Sequence, residues 1–175
     1  MTNANNITTP ACQFTTTGRV LTITVGLPAS GKSMFAEKAG FDAALSLDDF
    51  REVLWGNKRI QHGPGGIDAL LALQEAVIRA AMKEIKSIIV HNTSILKEHR
   101  TPLVELAKEH GYRTQIVYFD VPAAECIRRN QRRDDAVPPG AMEYFIANME
   151  VPTADEADLV VRYSMVCEKV ASGRC

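Results

Sequence analysis

With 175 residues, 46% apolar and 23% charged, the chain has the composition of an ordinary globular protein and is long enough to enclose a sizeable core as one domain. A formal net charge of −1 excludes a global field that gathers nucleic acid, so any polyanion must be held by a local basic cluster. The four cysteines (Cys12, Cys126, Cys167, Cys175) are too scattered for a zinc site or a disulfide framework and fit a reducing cytoplasm; no apolar run is long enough to span a membrane.

Residues 1–18, rich in Thr and Asn and without an apolar stretch, are expected to form a flexible lead-in with no signal peptide, ahead of one domain over 19–175. The β-branched run 20–25 reads as a buried strand. It leads directly into Gly26-Leu27-Pro28-Ala29-Ser30-Gly31-Lys32-Ser33, which fits G-x-x-x-x-G-K-[ST] at every fixed position. Residues 32–38 then have helix-forming composition. This strand–loop–helix unit is expected to bind ATP. Gly26, Pro28, Ala29, Ser30 and Gly31 form the loop around the phosphates, with the N–H groups of its non-proline residues facing inward, Lys32 supplies a point charge, and Ser33 ligates Mg²⁺.

Residues 43–46 predict a short second strand, followed by a helix from Asp48 to near Trp55. The stretch 56–66, with Gly63-Pro64-Gly65-Gly66, must be a loop. Leu70, Leu73, Val77, Ala80 and Ala81 predict an amphipathic helix over about 67–83. A buried strand follows at 87–91, and Leu103, Leu106, Ala107 and His110 mark a helix that Gly111 ends. Residues 113–120 read as a strand, 123–131 as a helix, the segment after Pro138-Pro139-Gly140 as a helix to about Met149, and 159–161 as a last short strand. Alternating strands and helices predict an α/β fold, a parallel sheet with helices on both faces.

Two further segments carry chemistry. Leu47-Asp48-Asp49-Phe50-Arg51 lies at the end of the second strand, where open α/β sheets place their ligands. A carboxylate there can take the proton of an acceptor hydroxyl, and Asp48 and Arg51, three apart, share a helix face. The plainer reading is a helix start with stabilising acids in its first turn. Arg128-Arg129-Asn130-Gln131-Arg132-Arg133 puts four arginines within six residues, a candidate lid over a triphosphate. Arg129 and Arg133 would share a face if the segment is helical; a solvated helix end is the bland alternative.

These segments, in this order from Val20 to Met149, resemble the 5′-hydroxyl polynucleotide kinase family, specifically the phage T4-type kinase domain of the P-loop kinase superfamily. The family's R-D-D-Y-R-like segment is matched by Leu47-Asp48-Asp49-Phe50-Arg51, and its lid K-R-N-S-K-R with A-V-P by residues 128–133 with Ala136-Val137-Pro138. Tyr118-Phe119-Asp120-Val121-Pro122 resembles the strand-to-helix junction before that lid. The resemblance implies that Asp48 is the general base on a 5′-OH end of DNA or RNA, that Arg51 grips the 3′-phosphate of the terminal nucleotide, and that Arg129 and Arg133 clamp ATP. It also carries Asn92 and Thr93 into the substrate site, where the family's D-T-N reads Asn92-Thr93-Ser94; an amide positions a neighbour but holds no charge.

The expected activity is therefore transfer of the γ-phosphate of ATP to a 5′-OH end. No 3′-phosphatase is expected, because no D-x-D-x-T segment is present. Two alternatives stay open: a P-loop kinase of a small-molecule hydroxyl (sugar, antibiotic or nucleotide sugar), and a nucleotide-binding module without catalysis. Trp55 reads first as a core residue and second as a stacking platform for a base, and His91 as a strand-end residue rather than a catalyst. His62, His99 and His110 have no ligand-like spacing. Assembly into a homo-oligomer is also left open.

Overall fold

Apolar and β-branched runs pair here as parallel strands because helices cross over between them and cover both faces, which buries Val20–Val25 and Ser87–Val90 throughout while the edge strands stay half-buried. In the computed structural model, residues 14–58 and 65–164 are described. The order is β1 (Val20–Val25), α1 (Lys32–Lys38), β2 (Ala43–Leu45), α2 (Leu47–Trp55), α3 (Gly66–Ala81), β3 (Ser87–Val90), α4 (Lys97–Glu109), β4 (Arg113–Asp120), α5 (Ala123–Asn130), α6 (Pro139–Ala147) and β5 (Leu159–Ser164). The sheet runs β2-β3-β1-β4-β5 with every pairing parallel. Residues 1–13 of the expected lead-in, the central part of the expected 56–66 loop with His62, and Cys12, Cys167 and Cys175 lie outside the described residues.

Strand alternation sorts the core. Leu21, Ile23 and Val25 join Ile88, Val90 and Ile116 in one buried cluster, closed by Ile78 of α3 and by Leu103, Val104, Leu106 and Ala107 of α4. The other face carries Phe119 and Tyr163, whose rings lie 5.4 and 5.6 Å from Phe35 of α1. Thr22 on that face is buried without cost because Gln115 Nε2 donates to its hydroxyl at 2.6 Å. The same Gln115 side chain holds the backbone of Thr15, accepting from its N–H at 2.9 Å and donating to its carbonyl at 2.6 Å. Phe14 packs 4.9 Å from Phe35, so residues 14–18 are tied to this face of the sheet.

Most element boundaries fall within two residues of the sequence expectation. Two run longer than expected. α4 starts at Lys97 and carries Pro102 as its sixth residue, which forgoes the backbone bond to Glu98 O, while the neighbouring Thr101 hydroxyl donates to Lys97 O at 3.1 Å. β5 runs on to Ser164, since β4 supplies ladder partners as far as Asp120↔Ser164.

Candidate active site

β1 is the central strand, with β3 and β4 on either side, so its carboxyl end opens where the chain changes direction across the sheet. The loop Gly26 to Ser33 occupies that end. Gly26 adopts φ 155°, and a Cβ there would lie 2.9 Å from Phe119 Cβ and 3.1 Å from Phe119 O, which explains the glycine. Ala29 is held at φ 62°, a left-handed conformation costing about 1–3 kcal/mol for a residue with a Cβ. Gly31 starts α1 with no side-chain cap, leaving the helix start to an outside anion, and Ser33 is exposed beside it.

Lys32 is buried within this loop. Its Nζ donates to Gly26 O at 2.8 Å, Leu27 O at 2.7 Å and Ser30 Oγ at 3.3 Å. Burial pulls its pKa down to about 7; the Cys126 thiol and Asp48 act in the opposite sense, and the Arg133 charge adds to the lowering. Asp48 and Arg133 are therefore both within electrostatic reach of Lys32.

Asp48 and Arg51 come together as their spacing predicts. They are half-buried in the first turns of α2, with Arg51 Nη1 donating to Asp48 Oδ1 at 2.7 Å. Ser46, in extended backbone, caps this helix by accepting from Asp49 N at 3.1 Å. Asn92, at the end of β3, accepts from Leu47 N at 2.8 Å through Oδ1 and donates from Nδ2 to Gln74 Oε1 at 2.7 Å. Its backbone carbonyl accepts from Thr24 Oγ1 at 3.0 Å, and Thr93 O accepts from Gly26 N at 3.0 Å. Asn92 and Thr93 thus fasten the acid-bearing helix start to the phosphate loop.

His91 stands beside them at the strand end. Its backbone N–H donates to Leu45 O at 2.9 Å, while the buried Nδ1 has no partner among the described residues. Burial lowers its pKa, with the Lys32 charge adding to the lowering and Asp49 and Asp48 opposing it, which favours the neutral ring. His99 and His110 sit on α4 and at its end, far in function from this cleft: His99 lies 3.9 Å from Glu98 and His110 Nδ1 is 3.0 Å from Leu106 O.

The helix expected over 123–131 is found, but the shared face expected for Arg129 and Arg133 is not. α5 ends at Asn130, so Arg129 is helical while Arg133 lies on the following turn, and the two do not share a helix face. Arg129 Nε donates to Glu125 Oε1 at 2.7 Å, and Arg128 binds both oxygens of the same carboxylate at 2.6 Å. Those guanidinium groups hold the Glu125 pKa down to about 2. Arg133 pairs with Asp135 at 2.8 Å. Asn130 was not singled out by sequence reasoning, yet it is buried and closes the turn, donating to Val137 O at 2.8 Å and accepting from Val137 N at 2.9 Å. Gln74 and Glu125 were also missed; neither belongs to a motif, and only the spacing Glu125–Arg129 carried a helical i,i+4 signal.

Trp55, expected first in the core, is 38% exposed at the end of α2 and belongs to neither core cluster. Gly56 follows it at φ 67° and ends the helix, its N–H donating to Glu52 O at 2.8 Å. Among the described residues there is no group of three or more His, Cys, Asp or Glu side chains placed to hold a metal ion, and no helix long and apolar enough to cross a membrane. The exposed Ser33 hydroxyl is a hard oxygen donor at the phosphate loop, which fits Mg²⁺ carried in with a nucleotide.

A parallel α/β sheet with this loop at the end of its central strand is a P-loop α/β fold. Residues 21–152 match the family model described as an AAA domain, and the chain belongs to that family. Solved structures of similar fold include one from the Pnkp1/Rnl/Hen1 RNA repair complex, with TM-score 0.64 and 23% identity, covering 75% of this chain and 44% of that chain. A sugar kinase from Janibacter sp. HTCC2649 has TM-score 0.63 and 16% identity over 90% of this chain and 92% of its own. The Mycobacterium tuberculosis APS kinase CysC, solved with AMPPNP and APS, has TM-score 0.54 and 21% identity over 89% of this chain and 98% of its own. The chain therefore spans less than half the length of the RNA repair relative, and these likenesses show the fold.

Proposed function

We propose that the chain is an ATP-dependent polynucleotide 5′-hydroxyl kinase. The observation that carries this reading is the Asp48–Arg51 pair, 2.7 Å apart at the carboxyl end of the sheet, with the Asp48 charge felt at Lys32. A base and a guanidinium side by side suit an acceptor that presents a hydroxyl and a nearby phosphate together. A 5′-terminal nucleotide with its 3′-phosphate is such an acceptor. Similarity of fold to a structure from an RNA repair complex supports the same class of substrate.

In this reading the loop Gly26 to Ser33 holds ATP, with Pro28, Ala29, Ser30 and Gly31 presenting backbone to the phosphates and Lys32 leaving its loop carbonyls for the β/γ oxygens. Mg²⁺, held by Ser33, would neutralise charge on the β- and γ-phosphates. Asp48 accepts the proton of the 5′-hydroxyl as its oxygen bonds to the γ-phosphorus; the bond from that phosphorus to the bridging oxygen breaks and ADP leaves. Arg51 turns from Asp48 to the acceptor phosphate, and Arg129 and Arg133 exchange Glu125 and Asp135 for the triphosphate. Asn92 holds the acceptor-side helix through Leu47 N, and Thr93 holds the phosphate loop through Gly26 N, which places both beside the acceptor.

Small-molecule phosphorylation is the second reading, favoured by a net charge of −1 and by the similarity of fold to a sugar kinase and an APS kinase. The test is transfer from labelled ATP to a 5′-OH oligonucleotide carrying a 3′-phosphate on its first nucleotide. Label on the oligonucleotide is the expected result; none there, with label on a free small alcohol, transfers the assignment to the second reading.

A further inference from the structure

We propose that Gln74 is a positioning residue for Asp48, acting through Asn92 in a relay of fixed hydrogen-bond polarity. The proposal rests on Asp48 being the acceptor-side base. Gln74 is 4% exposed, on α3, and belongs to no motif. An amide buried to that degree is retained at a cost unless its polar atoms are used.

Its Oε1 accepts from Asn92 Nδ2 at 2.7 Å, and Asn92 Oδ1 accepts from Leu47 N at 2.8 Å. Leu47 is the first residue of α2, and its N–H is among those that a helix leaves without an internal acceptor. Ser46 Oγ accepts from the residue on the other side of Asp48, at Asp49 N. The backbone N–H groups flanking Asp48 are thus held from two directions, one by the local cap and one by a chain that begins on α3. The backbone carbonyl of Asn92 accepts from Thr24 Oγ1 of β1, so the same residue references α2 to the strand that carries the phosphate loop. Carboxylate and phosphate loop are positioned against each other through Asn92, whose amide takes its polarity from Leu47 N–H and is held in place by Gln74.

The polarity of the relay is forced. Leu47 N–H requires an acceptor, so Asn92 must offer Oδ1 there and Nδ2 towards α3, and α3 must answer with an acceptor. Glutamine can present either end of its amide. A glutamate at 74 and an aspartate at 92 accept only while ionised, so the double variant is read at the alkaline end of its stable pH range, where no proton is shared between them. Each substitution alone has a compatible partner, since Gln74 can rotate to donate to an aspartate. Together they set acceptor against acceptor.

The experiment measures transfer kinetics, ATP affinity and the hydrogen exchange of the Leu47 amide in Q74L, Q74E, N92D and N92D/Q74E. Q74L is expected to lower kcat about tenfold or more, as misplacement of a reacting group does, while ATP Kd stays within about twofold. Q74E restores most of that loss. Leu47 exchange is expected to speed about tenfold or more in Q74L and in the double variant, and to stay slow in each of Q74E and N92D. Leu47 protection that is unchanged in Q74L, or a double variant no faster in exchange than the singles, overturns the relay. Because exchange needs no acceptor, it reads the relay even where the wild-type protein phosphorylates no 5′-OH end, a result that would sink the polynucleotide reading instead. If Q74L does not fold, the N92D and Q74E cycle decides alone.

Discussion

Lys32 in the nucleotide-free protein is a buried ammonium on loop carbonyls, and its proton is the first quantity that a ligand must change. The folded chain releases that proton near pH 7, while the unfolded chain keeps it to 10.5. Between those values the unfolded state binds more protons, so stability of the empty protein rises with pH across that window. A bound triphosphate favours the ammonium and reverses the preference, so nucleotide affinity falls as pH rises through 7 and beyond. Titration calorimetry at about pH 8 in buffers of different ionisation enthalpy should record proton uptake on ATP binding, absent in Lys32→Met. Asp48 acts on the other side of the transferred group. Asp48→Ala is expected to cut transfer by about 10²–10⁴-fold with ATP binding near normal, read by single-turnover kinetics beside equilibrium binding. Turnover at the wild-type rate would remove Asp48 from the role of base.

At the scale of elements, the segment between α5 and α6 is where local composition and observed shape diverge most. Six residues from Arg128 to Arg133 look like one basic helix end, but the helix stops at Asn130 because that side chain is drawn inward to pair with both polar groups of the Val137 backbone. Arg133 is thereby turned out onto the turn, near enough to Lys32 to depress its pKa. Asn130→Ala would strand a buried N–H and C=O, costing about 1–3 kcal/mol by denaturant titration. It should also raise KM for ATP, because the turn that carries Arg133 loses its closure. The surface pairs Arg128–Glu125 and Arg133–Asp135 are different: they are solvent-screened contacts that add little to stability.

For the whole molecule, the sheet order decides the site, and buried polar pairs hold the far segments in register with it. Arg100, 1% exposed, binds both oxygens of Glu156 at 2.6 and 3.1 Å and donates to the carbonyls of Ser94, Ile95 and Glu150. The chain that follows α6 is thus fastened to the turn after β3, the same turn that begins with His91 and Asn92. Arg100→Ala leaves the Glu156 carboxylate buried without its partner and should destabilise the fold by about 3–5 kcal/mol, seen as a lowered denaturation midpoint. Asp158, which accepts from Thr114 N at 2.7 Å, belongs to the same stitching of the last segment onto β4.

Whatever is encoded within one turn or one strand was legible in the residues themselves. Strand composition in 20–25, the glycines and lysine of the phosphate loop, and the three-residue spacing of Asp48 and Arg51 each express a local geometric rule, and each appears where that rule puts it. The sequence by itself determined an alternating α/β chain with a phosphate loop and an acid–arginine pair one strand away. Only the tertiary structure decided that Asn92 answers to Gln74 and Leu47, that Asn130 ends α5, that Trp55 stays outside the core, and that Arg100 meets Glu156. Those contacts join residues 7 to 56 positions apart or depend on which side of a helix end faces the sheet. No period in the sequence records them, because a hydrogen bond between distant segments fixes polarity and position without requiring any pattern in between.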